Sequence, residues 1–147
     1  MQKLIPPFLL VIFALIMTLI HFIVPYKIVF FSPFNYVGIL FIILGLTIAR
    51  KINSNFSKVD TEIHTFKKPR KLLTNGLFRY SRNPIYVGFI LILIGLNILL
   101  GSVTSFLVVL VFIFVTNYWY IRIEEKNMQE QFGQEYTNYK KKVRRWI

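Results

Sequence analysis

The chain has 147 residues, 55% hydrophobic and 17% aromatic, with a formal net charge of +12. Apolar residues gathered into runs at that density exclude an ordinary soluble domain and point to one membrane domain. There is no cysteine and there are only two histidines, His21 and His64. Disulfides, thiolate metal sites and cysteine nucleophiles are therefore ruled out, and a histidine-rich metal centre has too few ligands.

The first apolar run, Leu4 to Val24, is long enough to cross a hydrocarbon core. Lys3 alone precedes it, and no small-x-small cleavage site appears before Pro25-Tyr26-Lys27, so a retained transmembrane helix is predicted rather than a signal peptide. Pro6-Pro7 suits a first helical turn, where missing amide donors matter little. The second run, Phe34 to Ala49, is short for a bilayer unless Arg50 and Lys51 snorkel. Gly38 and Gly45 share one helical face, and Gly88 and Gly95 repeat their spacing in the third run, Ile85 to Leu100. That repeat predicts close packing of the second and third helices, although glycine merely tolerated in lipid would read the same way. Gly101-Ser102 breaks the chain. The fourth run, Val103 to Ile121, ends in Tyr118-Trp119-Tyr120, an aromatic belt suited to a headgroup boundary. Asn97 and Asn117 read as amides that hydrogen-bond between helices.

Charge sets the expected orientation. Arg50 to Arg82 holds nine basic residues against Asp60 and Glu62, and Arg122 to Arg145 holds seven more. Lys27 stands alone in the first turn and the second turn has none, so the positive-inside bias puts both termini and the long loop in the cytoplasm. The same bias explains the surplus charge without nucleic acid, for which no module is recognisable. The expected architecture is all-α, a polytopic membrane protein of about four transmembrane helices. Two helices fill 1–52, a cytoplasmic loop 53–84, a transmembrane hairpin 85–121, and a cytoplasmic tail 122–147. In the tail, Met128, Phe132, Tyr136, Tyr139 and Val143 recur at helical spacing. This predicts an amphipathic helix lying in the interface, with Lys140, Lys141, Lys142, Arg144 and Arg145 placed to meet anionic lipid or simply to be solvated.

Two polar clusters carry the chemistry. Arg82-Asn83-Pro84-Ile85-Tyr86-Val87-Gly88 stands immediately before the third run, and Glu124-Glu125 immediately after the fourth. A membrane hairpin brings both to the same side, and polar groups converging at a membrane boundary mark a functional site. Asn75-Gly76 predicts a tight turn, and Asn83-Pro84 an extended residue followed by a helix start whose free amides suit an anionic group. Tyr86 and Phe78 offer flat faces to a base or a cation. Neighbours on a helix point about 100° apart, so Glu124 and Glu125 do not form a two-carboxylate pair. One is expected to face the bundle and the other Arg122, Lys126 or Gln129; glutamates in a basic helix also serve simply to balance charge.

From Leu72 to the C-terminus the chain resembles the membrane methyltransferase superfamily that includes isoprenylcysteine carboxyl methyltransferases and phospholipid N-methyltransferases. The residues that carry the resemblance are Leu72-Leu73-Thr74-Asn75-Gly76-Leu77-Phe78, then Arg82-Asn83-Pro84-Ile85-Tyr86-Val87-Gly88, Glu124-Glu125, and Phe132-Gly133-Gln134-Glu135-Tyr136-Thr137-Asn138-Tyr139. Asn83 stands where the eukaryotic carboxyl methyltransferases have histidine, a form familiar among bacterial relatives; the expected location is a prokaryotic inner membrane. The resemblance implies S-adenosylmethionine as methyl donor. Leu73, Phe78, Arg82, Asn83, Pro84, Ile85, Tyr86 and Glu124 would bind it, and Gly88 would permit close approach. An acceptor-side arginine would lie four residues before Glu124, where this chain has Tyr120. Arg122 and Glu125 are the nearby candidates for catalytic roles. The acceptor would be lipophilic or small, bearing a carboxylate, an amine or a thiol, and would arrive among membrane lipids. Two other readings are a sterol-reductase-like oxidoreductase using NADPH and a non-enzymatic protein that binds anionic lipid through Lys140 to Arg145. Glu124-Glu125 and Phe132-Gly133 fit the first of these less well, and the second leaves the Asn-Pro-x-Tyr-x-Gly segment without a purpose.

Overall fold

A computed structural model describes residues 6–24, 32–59 and 71–147. The expected first turn with Lys27, and the part of the basic loop that holds Asp60, Glu62 and His64, lie outside the described residues. Those described form α1 (Pro6–Ile23), α2 (Val37–Val59), α3 (Pro84–Leu100), α4 (Val103–Val115) and α5 (Ile121–Lys142), with short 3-10 turns at Phe34–Tyr36 and Gly76–Arg79. A π-helical turn, Thr116–Tyr120, joins α4 to α5 into one helical path. No strand occurs among the described residues, and the chain is an all-α membrane protein.

Among the described residues, three helices are long and apolar enough to cross a membrane: Pro6–Ile23, Phe34–Ser54, and the path from Val103 to Lys142. The shorter α3 has 17 residues, about 25 Å at 1.5 Å per residue. It begins at Pro84, whose fixed φ suits a first turn, and ends at Gly101 in the left-handed conformation (φ +68°). The α2 helix runs to Val59, past the expected end of the N-terminal pair at residue 52. The apolar run stops at Ala49, but no glycine or proline stands between there and Val59 to stop the helix.

Lipid tails are as apolar as leucine, so helices in a bilayer associate through close packing rather than escape from water. The α2–α3 pair shows this directly. Gly38 lies on the Gly95 carbonyl and Gly45 on the Gly88 carbonyl, two contacts seven residues apart along antiparallel helices. A Cβ added at Gly88 would stand 3.0 Å from the Gly45 oxygen and 3.1 Å from Ile48. The predicted glycine faces therefore meet, and α3 shares the depth of α2. On α1, Leu9, Phe13 and Met17 form a buried stripe at four-residue spacing. It packs on α4, where Phe13 and Phe112 meet edge to face at 5.2 Å and Ser105 Oγ donates to the Met17 carbonyl at 3.4 Å. The outward faces carry Phe8, Leu15 and Leu19 on α1, Leu40 and Leu44 on α2, and Leu107, Val111 and Phe114 on α4, a surface suited to acyl chains.

Candidate functional site

The α3–α4 hairpin brings the start of α3 beside the start of α5. The Tyr86 hydroxyl donates to Glu124 Oε1 at 2.8 Å. The Tyr86 ring is fully buried and meets Phe89 edge-on at 6.2 Å, so this residue offers its hydroxyl to the site rather than a flat face. Glu125 points differently from Glu124, as neighbouring helical positions must. Its partners are not Arg122, Lys126 or Gln129 but Arg82 and Arg145: Arg82 Nη2 lies 3.1 Å from Oε1, and Arg145 Nη2 lies 2.6 Å from Oε2. Lys126 instead pairs with Glu130 at 3.9 Å on the exposed face.

The π-helical turn sets this arrangement. Thr116 Oγ1 donates to the Phe112 and Ile113 carbonyls at 2.8 and 3.1 Å. Such local insertions recur at functional sites because they re-aim the residues that follow. Here Tyr120 and Ile121 turn inward while Tyr118 and Trp119 stay exposed, so only part of the aromatic belt faces outward. Asn117 Oδ1 accepts from Arg145 Nη1 at 3.1 Å and from Trp146 Nε1 at 3.2 Å, so its partner is the C-terminal segment and not another membrane helix.

That segment straps the two clusters together. Arg82 N donates to the Arg144 carbonyl at 3.0 Å, and Asn83 Nδ2 donates to the Arg145 carbonyl at the same distance. Asn83 is buried, and its own amide donates to Ser81 Oγ at 3.1 Å. The chain folds back at Gly133, which breaks α5 at φ +48° and ψ −116°, a backbone conformation that L side chains rarely adopt. Beyond it, Tyr136 and Tyr139 turn toward the protein and are buried. Tyr139 donates its hydroxyl to the Phe78 carbonyl at 2.6 Å. Burial pushes its phenol up to about 12, with Arg82 pulling the other way. The Tyr136 phenol is likewise raised, by burial first and then by Glu125.

Arg82, Asn83, Pro84, Tyr86, Glu124 and Glu125 thus converge, with buried Phe78 tied in through Tyr139 and with Leu73 and Ile85 half-buried on the approach. Two expected members lie elsewhere. Gly88 packs against α2, and the exposed Arg122 stacks over the Tyr118 ring at 5.1 Å. Arg145, Asn117 and Trp146 were not foreseen. Arg145 was hidden inside a run of basic residues, where only its place a few residues beyond Tyr136 and Tyr139 set it apart.

A sequence profile of phospholipid methyltransferases matches residues 34–135. A probable protein-S-isoprenylcysteine O-methyltransferase of rice (Oryza sativa subsp. japonica) is 33% identical over 117 residues, 74% of this chain and 58% of its own length. The protein-S-isoprenylcysteine O-methyltransferase of Schizosaccharomyces pombe is 36% identical over 76 residues, 52% of this chain and 32% of the yeast protein. An uncharacterized protein of Haemophilus influenzae is 41% identical over 63 residues, 43% of this chain and all of that protein. The chain therefore spans little more than half of the rice relative and about a third of the yeast one. No solved structure matches significantly.

Proposed function

Since the chain belongs to the phospholipid methyltransferase family, we propose that it moves a methyl group from S-adenosylmethionine to a lipophilic or small acceptor at the cytoplasmic membrane face. The observation that carries this reading is the Tyr86–Glu124 contact, which joins the two polar clusters into one site at a helix-bundle boundary. Bound there, the donor would supply an activated methyl group on a sulfonium, which leaves the protein the tasks of alignment and water exclusion.

The residues suit a donor that combines a base, ribose hydroxyls, an ammonium and a carboxylate. Glu124, oriented by Tyr86, would take ribose hydroxyls or the ammonium. Phe78, Pro84, Ile85 and Leu73 would wall the nucleoside, and Asn83 would hold the C-terminal segment against it. Arg82 would stand beside this pocket at the start of α3. Glu125, engaged by two guanidiniums, acts in this reading as a positioning residue. The rice and yeast relatives are named for O-methylation of protein S-isoprenylcysteine, and the family is named for phospholipids. Both support an acceptor that reaches the site from the bilayer, whether its nucleophile is a carboxylate, an amine or a thiol.

Calorimetry with S-adenosylmethionine and the purified chain tests the reading. Binding by the wild type, weakened in a folded Glu124→Ala variant, is expected together with radiolabel transfer to a membrane extract. Absence of binding by well-folded wild type overturns it.

A further inference from the structure

Arg82, Glu125 and Arg145 form a cluster of two guanidiniums and one carboxylate, with one positive charge in excess. Arg145 occupies both oxygens of Glu125, through Nε to Oε1 at 3.1 Å and Nη2 to Oε2 at 2.6 Å. Arg82 is left with a single ion pair, Nη2 to Oε1 at 3.1 Å. Its Nε and Nη1 have no hydrogen-bond partner, although the side chain is only 10% exposed. Unsatisfied donors on a buried charged group are costly, and a guanidinium fork matches the two oxygens of a carboxylate or phosphate.

The geometry points to an oxyanion-binding subsite on Arg82, with Arg145 as the positioning residue that keeps Glu125 from taking a second Arg82 nitrogen. Without the Arg145 side chain, both Glu125 oxygens fall to Arg82, fork to fork, and one of its two unpartnered nitrogens is taken. The strap itself survives that change, because Asn83 and Arg82 hold it through the main-chain carbonyls of Arg145 and Arg144. The oxyanion comes from one of two sources: the carboxylate of the methyl donor, which rests on the function proposed above, or a phosphate or carboxylate on the acceptor.

The test uses the full chain with S-adenosylhomocysteine, its decarboxylated analogue and glycerophosphate as probes. If the donor is the source, calorimetry shows the wild type binding S-adenosylhomocysteine about tenfold more tightly than the decarboxylated analogue. That preference disappears in Arg82→Lys and Arg145→Gln, each read on protein whose thermal melt shows it folded. If the acceptor is the source, the two nucleosides bind alike, and glycerophosphate raises the melting temperature of the wild type but not of either variant. A glycerophosphate shift that depends on Arg82, with no nucleoside bound, sinks the methyl-transfer reading and leaves the subsite standing. A wild type with neither a carboxylate preference nor a glycerophosphate shift overturns the subsite, whatever the variants do.

Discussion

Tyr86 and Glu124 lie 38 positions apart and are joined by a hydrogen bond of 2.8 Å. The ring of Tyr86 is core and its oxygen faces Glu124 in the proposed site, so one substitution separates the two roles. Tyr86→Phe keeps the packing against Phe89 and removes the donor to Glu124. Donor affinity is expected to fall roughly tenfold, as for loss of a hydrogen bond to a charged group, with little change in melting temperature. Calorimetry beside a thermal melt reads both quantities. A parallel loss of stability and affinity would reduce the contact to scaffolding.

The glycine contacts make a different demand. An alanine at Gly45 drives its Cβ into the Gly88 carbonyl, a backbone atom that cannot swing aside. Gly45→Ala should cost about 1–3 kcal/mol, the usual scale for overpacking, and a larger residue more. Equilibrium unfolding in mixed micelles measures this. An unchanged transition would mean that α2 and α3 are not held by this seam.

Gly133 is restricted by backbone rather than space, since a Cβ there would meet nothing within 4 Å. Gly133→Ala is expected to lose about 1–3 kcal/mol through strain at φ +48°, and to loosen the strap it aims. Faster amide exchange at Tyr139 to Trp146 would report the loosening. Unaltered exchange there would show that the break in α5 is not needed for the fold-back.

How far such features could be read in advance depended on the physics behind each. The Gly38/Gly45 and Gly88/Gly95 repeat was legible because small residues at one spacing in two apolar runs have one geometric use. The convergence of the Arg82 segment with Glu124-Glu125 followed from hairpin topology alone. The end of α2 was not legible, because hydropathy marks where a helix leaves lipid and not where its hydrogen bonds stop. Glu125 found Arg145 rather than its helical neighbours because Gly133 turns the tail around. Local spacing cannot reveal a contact made by a chain reversal, and the basic run around Arg145 masked the one arginine that is paired inside.

The buried tyrosines predict a pH window. Tyr139 holds its proton more firmly in the fold than its ordinary value of 10.0, up to about 12, chiefly through burial. A raised pKa contributes stability in full below about pH 10, and that contribution drains away as the pH climbs through about 12. At neutral pH, Tyr139→Phe should cost about 1 kcal/mol through the lost bond to the Phe78 carbonyl. Above pH 10 the gap between wild type and variant should narrow, because only the wild type has a phenol that ionises in the unfolded chain while the fold keeps it protonated. Urea unfolding of both proteins from pH 7 to 11.5 follows the gap; a constant difference would remove the phenol from the pH response.

Arg122 gives the sharpest contrast between a residue's position in the sequence and its place in the fold. It stands two residues before Glu124, which made it a candidate for the chemistry, but its guanidinium lies over Tyr118 on an exposed face. The charge that reaches Glu125 comes instead from Arg82 and Arg145. Arg122→Ala is therefore expected to leave donor affinity within about twofold of wild type, as for a surface change remote from the site. Vesicle association should weaken slightly, since one cation is lost near the headgroups. Calorimetry with S-adenosylhomocysteine and a flotation assay separate the two effects. A fall in donor affinity as deep as that of a Glu124 variant would mean that the helix carrying Arg122 rotates toward the site when the donor binds.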